Sequence, residues 1–417
     1  MNSMVHLAPI AQHWLRDCPL TPYVVGYFDH LIGCRYSAET TEKYIAGIAH
    51  LGWWMAQSHL AIDQLDEKVI ARFLDEHLPL CDCPRPAFRT RSDLRAACAH
   101  LLCILRDRGV IPPPATPIVP RDEEVGRFDE HLRDVRGLAG ETRRNYRRIV
   151  RRLLDARFGT AEIVFSALQP ADVRQFIADQ LAQKATPANA SVIATALRAY
   201  FRYRGACGDD VHALRGVIAV PAHWSLASLP RSLTAGEVVR LLNAFPPELP
   251  SRRRAYAMVR CGLDMGLRAS EIAKLALADI DWRAGTVTLH STKSRREDTL
   301  PLPASTGQAI ADYLRYERPR TTNPAVFVRR LAPHDVPIGP DAVRRLIRDA
   351  YQRIGLPHAR THALRHTLAR QLLEQGSSLK EVADVLRHRS LDTSLIYAKL
   401  DSRRLAAVAL PWPGSAT

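Results

Sequence analysis

The sequence predicts a mainly α-helical protein: two small helical domains, then a mixed α/β domain in which helices surround a small antiparallel sheet. Three observations carry this. Helix-spaced apolar positions with start and stop signals recur along most of the 417 residues. One such pattern appears twice in the first half, about 100 residues apart. Only at 279–303 does the apolar period change to two, between turn signals.

The repeat can be followed residue by residue. In SAETTEKYIAGIAHLGWW (37–54) and GETRRNYRRIVRRLL (140–154), Thr40 and Thr142 each precede a tyrosine by four residues. Tyr44 and Tyr146 each precede a leucine by seven. Leu65, Ile70, Phe73 and Leu78 recur as Leu168, Val173, Phe176 and Leu181, and LLCILRDRG (101–109) corresponds to LRAYFRYRG (197–205). The period is too long for a solenoid, so 1–110 and 121–215 read as two helical domains. IPPPATPIVP (111–120) joins them, its prolines favouring an extended chain.

A second linker, 216–231, leads into the third domain, 232–400, which is followed by a tail, 401–417. Thr234 and Glu237 have capping-box spacing and open the helix GEVVRLLNAF. The apolar run AYAMVRCGLDMG ends at Gly266, Ser270 caps EIAKLAL, and Arg268 lies in the turn between. In DIDWRAGTVTLHSTKSRREDTLPLP (279–303), Val287 and Leu289, then Leu300 and Leu302, alternate as strands, with Lys293 at the edge of the second turn.

The stretch from Thr361 to Leu400 brings the chemistry together. His362 and Arg365 open a helix that runs through Leu364, Leu368, Leu372 and Leu373 and stops at Gly376, so both face one side near its positive end. Ser378 and Glu381 start the next helix, His388 follows it, and a start signal at Asp392-Thr393 precedes Tyr397. A tyrosine, two histidines and an arginine on short helices point to a phenol nucleophile beside an anion cradle.

Composition agrees. Against 43 acidic residues stand 58 basic ones, a net charge of +15, which points to a polyanionic partner. Seven of the 58 are lysine, so the charge is mostly arginine, which grips phosphate bidentately; a GC-rich genome gives the same bias. Arg143, Arg144, Arg147, Arg148, Arg151 and Arg152 form one stripe opposite Tyr146, Ile149, Val150, Leu153 and Leu154. With only Glu141 and Asp155 nearby in sequence, they would repel one another unless phosphates neutralised them, which favours a DNA-backbone role over a solvated face. No apolar run approaches membrane-spanning length and the N-terminus lacks a signal pattern, so a soluble, cytoplasmic protein is expected.

The eight cysteines lack the spacing of a disulfide scaffold. His77, Cys81, Cys83, Cys98, His100 and Cys103 lie within 27 residues, and four of them can close a tetrahedral zinc site. The spacing matches no standard zinc pattern, and Cys98 and Cys103 sit in an apolar helical run, so ordinary core cysteines are the reading carried forward, with no metal and no cofactor.

GLRASE (266–271), TKSRREDTLPL (292–302), HALRH (362–366), LRH (386–388) and Tyr397 occur in the order and approximate spacing of the tyrosine recombinases, or phage integrases, and together resemble that family over about 232–400. Residues 120–215 resemble its core-binding domain, and the extra N-terminal domain resembles the longer transposon-borne members. The resemblance implies that Tyr397 attacks a DNA phosphate to give a 3′-phosphotyrosyl link and a free 5′-hydroxyl. It implies that Arg268 and Arg365 hold the phosphate, Lys293 protonates the leaving oxygen, His362 handles the tyrosine proton, and His388 hydrogen-bonds the phosphate. Glu271 would orient Arg268, and Arg295 and Arg296 would contact the backbone. Arg387 stands where the family usually has glycine, with crowding of the turn or an added phosphate contact as the two outcomes.

The expected activity is cutting and rejoining of two DNA duplexes through a Holliday junction, for integration or transposition of a mobile element, by a homo-tetramer on two sites. The tail, with Leu405, Val408 and Leu410, would be exchanged between subunits. The alternatives are a catalytically silent partner of another recombinase, which an occluded Tyr397 would favour, and a type IB topoisomerase. Accessory recombinases are compatible with each reading.

Overall fold

The computed structural model describes residues 7–84, 87–114, 119–183, 186–219, 230–290, 297–334, 336–357, 359–388 and 395–398. Among these residues it is mostly helical with one three-stranded sheet, and the chain divides into two compact units: residues 115–227, and 1–114 together with 228–417. Among the described residues no helix is long and apolar enough to cross a membrane.

In the N-terminal stretch, Ser37 caps the helix Ala38–Gln57 by accepting from the Thr40 amide. Asp66 caps Glu67–Arg72 by accepting from Val69 at 2.8 Å, and that helix passes into the π turn Phe73–His77. Tyr44, Ile45, Ile48 and Leu51 are buried with Leu94, Ala97, Leu101 and Leu105 of Arg91–Asp107 in one apolar cluster. The two helices approach closely at Gly47, where a Cβ would stand 3.0 Å from the Leu94 side chain.

Residues 115–227 repeat the arrangement with Gly140–Phe158, Pro170–Gln183 and Pro187–Ala206. Leu65, Ile70 and Phe73 are buried in the first copy, and Leu168, Val173 and Phe176 in the second, so the shared spacing reports a shared core. The linker is shorter than the prolines suggest. Ile111 is buried in the first cluster, and Pro120 is already the first residue of the helix Pro120–Glu130, a position that tolerates its missing N–H.

The third segment centres on the helix Arg252–Asp264, which packs against Ala304–Tyr316 and His362–Glu374. Gly262 permits the last crossing, since a Cβ there would lie 2.7 Å from Leu364 Cδ1. Strands β1 (Ile280–Asp281), β2 (Thr286–Leu289) and β3 (Asp298–Pro301) pair antiparallel in that order, with Val287 opposite Ile280 and Leu300. The capping box at Thr234 and Glu237 opens Ala235–Leu242, which ends before Phe245 because Pro246 disfavours helical backbone in the residue ahead of it.

One expected boundary is corrected. Ser270 does not cap the next helix; Ala269–Lys274 begins a residue earlier, and Glu271 accepts the Arg268 amide at 2.8 Å. That helix also stops short of Leu277, because Leu275 and Leu277 bond instead to Val326 and Pro324 of a neighbouring extended segment.

Candidate active site

The positive end of His362–Glu374 lies against two turns. Gly266, at φ +59°, reverses the chain after Arg252–Asp264, and Arg387, at φ +55°, ends the helix Leu379–Val385. Both turns place carbonyls toward Arg365, which is 4% exposed. Its Nη1 donates to Gly266 O at 2.6 Å and its Nη2 to Leu386 O. Arg268 sits beside it at the helix start, donating from Nη1 to Glu271 Oε1 at 2.6 Å and from Nη2 to Arg387 O at 3.5 Å.

Arg387 is itself buried. Its side chain turns inward and donates from Nη2 to Glu271 Oε2 at 2.8 Å, with weaker bonds to Met265 O and Gly266 O. Its backbone adopts the left-handed conformation that glycine takes at no steric cost, which is the physical reason a glycine suits this position.

Three guanidinium groups therefore stand close together, two of them, Arg268 and Arg387, bonded to the Glu271 carboxylate. Burial, then Arg268 and Arg387, push Arg365 down to about 9. Burial raises Glu271, but Arg387 and Arg268 outweigh it and hold the carboxylate below its ordinary range. The pocket is short of negative charge, and an anion such as a phosphate diester would relieve it.

Tyr397, on the short helix Leu395–Ala398, is 2% exposed beside this cradle. Its hydroxyl pairs with Nδ1 of His366 at 2.8 Å, and the His388 ring lies parallel to it, centroids 6.1 Å apart. Burial raises the phenol's pKa, while Arg365 and Arg268 pull it down. The sequence placed the tyrosine's proton partner at His362; in the structure His366, one helical turn later, occupies that place, and His362 is exposed with its ring 6.4 Å from that of His366. His366 stands in the HALRH motif itself, four residues after His362, and that spacing is the signal that could have found it.

Burial drives both His366 and His388 down to about 4 from 6.5, so both rings are neutral near pH 7. An unfolded histidine takes up its proton near its ordinary value, and these two only near 4. Their contribution to stability is thus complete above 6.5 and falls away as pH drops toward 4. Thermal melts across that range are expected to show a falling Tm, with a shallower fall in a His366→Gln/His388→Gln variant.

The arginine stripe has more counter-charge than its neighbours in sequence suggest. Asp129, which bonds Arg143 and Arg147, and Asp122, which bonds Arg151 at 2.6 Å, come from the preceding helix, while Arg144 bonds Glu141 on its own helix. Arg148 and Arg152 bond only neutral amide oxygens among the described residues, those of Asn145 and Gln180. Lys293, Arg295, Arg296, the start signal at Asp392-Thr393 and the tail with Leu405, Val408 and Leu410 lie outside the described residues.

Residues 231–404 match the phage integrase family and 125–206 match the SAM-like N-terminal domain of phage integrases. The putative integrase/recombinase y4rA of Sinorhizobium fredii is 35% identical over 408 residues, covering 95% of this chain and 96% of that protein. Tyrosine recombinase XerC of Azotobacter vinelandii is 30% identical over 68% of this chain and 94% of its own. The fold is similar to a lambda integrase (75–356) dimer bound to a COC′ core site, with TM-score 0.51 and 16% identity over 70% of this chain and 98% of that one. It is likewise similar to XerH recombinase bound to palindromic difH substrate, with TM-score 0.52 and 19% identity over 69% and 85%. With its extra N-terminal helical segment included in the match to y4rA, the chain belongs to the phage integrase family of tyrosine recombinases, enzymes that cut and rejoin DNA.

Proposed function

We propose that this chain is a catalytically active site-specific recombinase that exchanges strands between two DNA duplexes through a Holliday junction, in the integration or transposition of a mobile element. The observation that carries this reading is the cluster of Arg268, Arg365 and Arg387, the first and last bonded to Glu271 and Arg365 to backbone carbonyls, next to Tyr397. Tyr397 attacks the scissile phosphate, forming a 3′-phosphotyrosyl bond while the 5′-oxygen leaves. Arg268 and Arg365 face the non-bridging oxygens, where charge builds in the transition state. Their carbonyl and carboxylate partners hold them in place, so little reorganisation is needed.

His366, neutral and in reach of the phenol, accepts its proton; His388 bonds the phosphate, Lys293 protonates the leaving oxygen, and exposed His362 assists from the mouth of the site. Four protomers on two sites, tails exchanged, complete the assembly in the cytoplasm. The three domains 1–110, 121–215 and 232–400 divide the labour between DNA contact and chemistry. His366→Ala is expected to slow cleavage about 100-fold, the usual worth of a general base, and more than His362→Ala does in the same single-turnover assay.

Arg148 and Arg152 are the backbone contacts favoured within the stripe, since no carboxylate neutralises them among the described residues. Arg148→Ala/Arg152→Ala is expected to flatten the slope of log K against log salt by about 0.9 for each lost phosphate contact. Arg143→Ala, which removes a bidentate bond to Asp129, is expected to lower Tm instead.

The burial of Tyr397 favours a second reading, a silent partner that helps an active recombinase assemble. Nicked suicide duplexes from DNA flanking the gene separate the two. A denaturation-resistant adduct whose peptide carries DNA at Tyr397 supports the first reading, and strand exchange between two duplexes separates it from a topoisomerase. No adduct on DNA that the protein binds supports the second.

A further inference from the structure

We propose that the N-terminal helical segment holds a structural zinc ion on His50, His77, Cys81 and Cys83. The four ligand atoms all lie within 4.8 Å of one another. His50 Nε2 stands 3.3 Å from His77 Nε2 and 3.4 Å from Cys81 Sγ, and Cys83 Sγ stands 3.6 Å from His77 Nε2. A tetrahedron with Zn–N bonds of about 2.05 Å and Zn–S bonds of about 2.3 Å has N···N edges of about 3.3 Å and N···S edges of about 3.6 Å. Three of the six edges are within about 0.2 Å of such a figure.

The surroundings orient them as ligands. His50 is fully buried, and its Nδ1 lies 2.9 Å from the Phe88 carbonyl. That bond uses the ring's proton and leaves the Nε2 lone pair aimed at the other three groups, the arrangement that commonly supports a metal-bound histidine. Phe73 stacks on His77 and meets His50 edge-on, so both rings are held in position. Two thiolates and two neutral imidazoles leave Zn²⁺ with no net charge, as a half-buried site requires, and an S₂N₂ tetrahedron selects zinc among the common divalent ions.

The internal repeat explains what the ion would do. In the second copy, Gln183 and Pro187 bound a connection of three residues, whereas in the first the chain from His77 to Arg91 needs thirteen. Cys81 and Cys83 lie in this longer crossing, just after the 3-10 turn Leu78–Leu80. By the repeat's spacing His50 and His77 correspond to Arg152 and Gln180, and those two are joined by a direct hydrogen bond of 3.0 Å. The ion would thus fasten the inserted loop to the helix Ala38–Gln57 where the second copy, with its short connection, uses a side-chain bond. Cys98, buried elsewhere in the core, and exposed Cys103 take no part, and His100 pairs with His30 and Tyr36.

The test is elemental analysis of the full-length protein purified without chelator, followed by exchange with cobalt(II). One zinc per chain, and the intense absorption of a tetrahedral cobalt–thiolate centre after exchange, are expected. Cys81→Ser/Cys83→Ser should lose both signals and Cys103→Ser should keep them. If the double variant does not fold, release of zinc from the wild type by a thiol-modifying reagent, read with a chelating dye, makes the same assignment. Wild type that retains no zinc after incubation with zinc and gel filtration, and gives no cobalt–thiolate absorption, overturns the proposal in favour of a hydrogen-bonded His–Cys cluster. Zinc retained at full stoichiometry by a folded double variant overturns it too.

Discussion

Tyr397→Phe is expected to bind DNA as the wild type does while strand cleavage falls by at least about 10⁴-fold, the scale of losing a nucleophile whose partners cannot replace it. The substitution removes one oxygen and leaves the ring to stack on His388. Its structural cost is the single bond to His366, about 1 kcal/mol, so the melting curve should hardly move. Adduct yield on suicide duplexes, measured beside binding at matched salt, checks both halves. Wild-type adduct yield from the Phe variant would place the nucleophile elsewhere; loss of binding together with cleavage would point to a structural role for the hydroxyl.

Glu271→Ala is expected to be the most destabilising single change near the site. Its carboxylate bonds both Arg268 and Arg387, and Arg387 is 7% exposed, so deletion leaves a buried cation without its partner beside two other guanidinium groups. Breaking a buried pair by removing one partner costs about 3–5 kcal/mol, and calorimetry should show that loss as a lower Tm. Two checks distinguish electrostatics from lost packing. Sulfate or phosphate should restore more Tm to Glu271→Ala than to the wild type, because an anion in the cradle replaces the missing charge. Adding Arg387→Gly should recover stability as well, since it removes a buried cation and puts glycine at φ +55°. If neither restores Tm, the cost lies in packing.

Much of the local structure was legible in the chain. Capping pairs such as Ser378–Glu381 and Thr234–Glu237 act over three residues and appear as read. Three of the four matched apolar positions are buried in both copies, and the fourth, Leu78 and Leu181, is partly buried in each. Where local signals competed, reading failed: Ser270 looked like a cap, but the Glu271 side chain took the Arg268 amide first.

The sequence alone determined which segments are helices, which faces are apolar, that the first half is duplicated, and that a tyrosine, arginines and histidines recur in the family's order. Only tertiary structure decided which of these groups meet. His366 reaches Tyr397 across 31 residues and Arg387 reaches Glu271 across 116. Asp129 neutralises Arg143 from the neighbouring helix, and His50, outside the cysteine-rich stretch, completes its cluster. Periodicity reports the side of a helix that leaves water, because burial of apolar area favours that side whatever covers it. The partner of a charged or hydrogen-bonding group depends instead on where distant helices cross. Those crossings are set by close approaches such as Gly262 on Leu364 and by turns such as Gly266, whose consequences are felt far away in sequence.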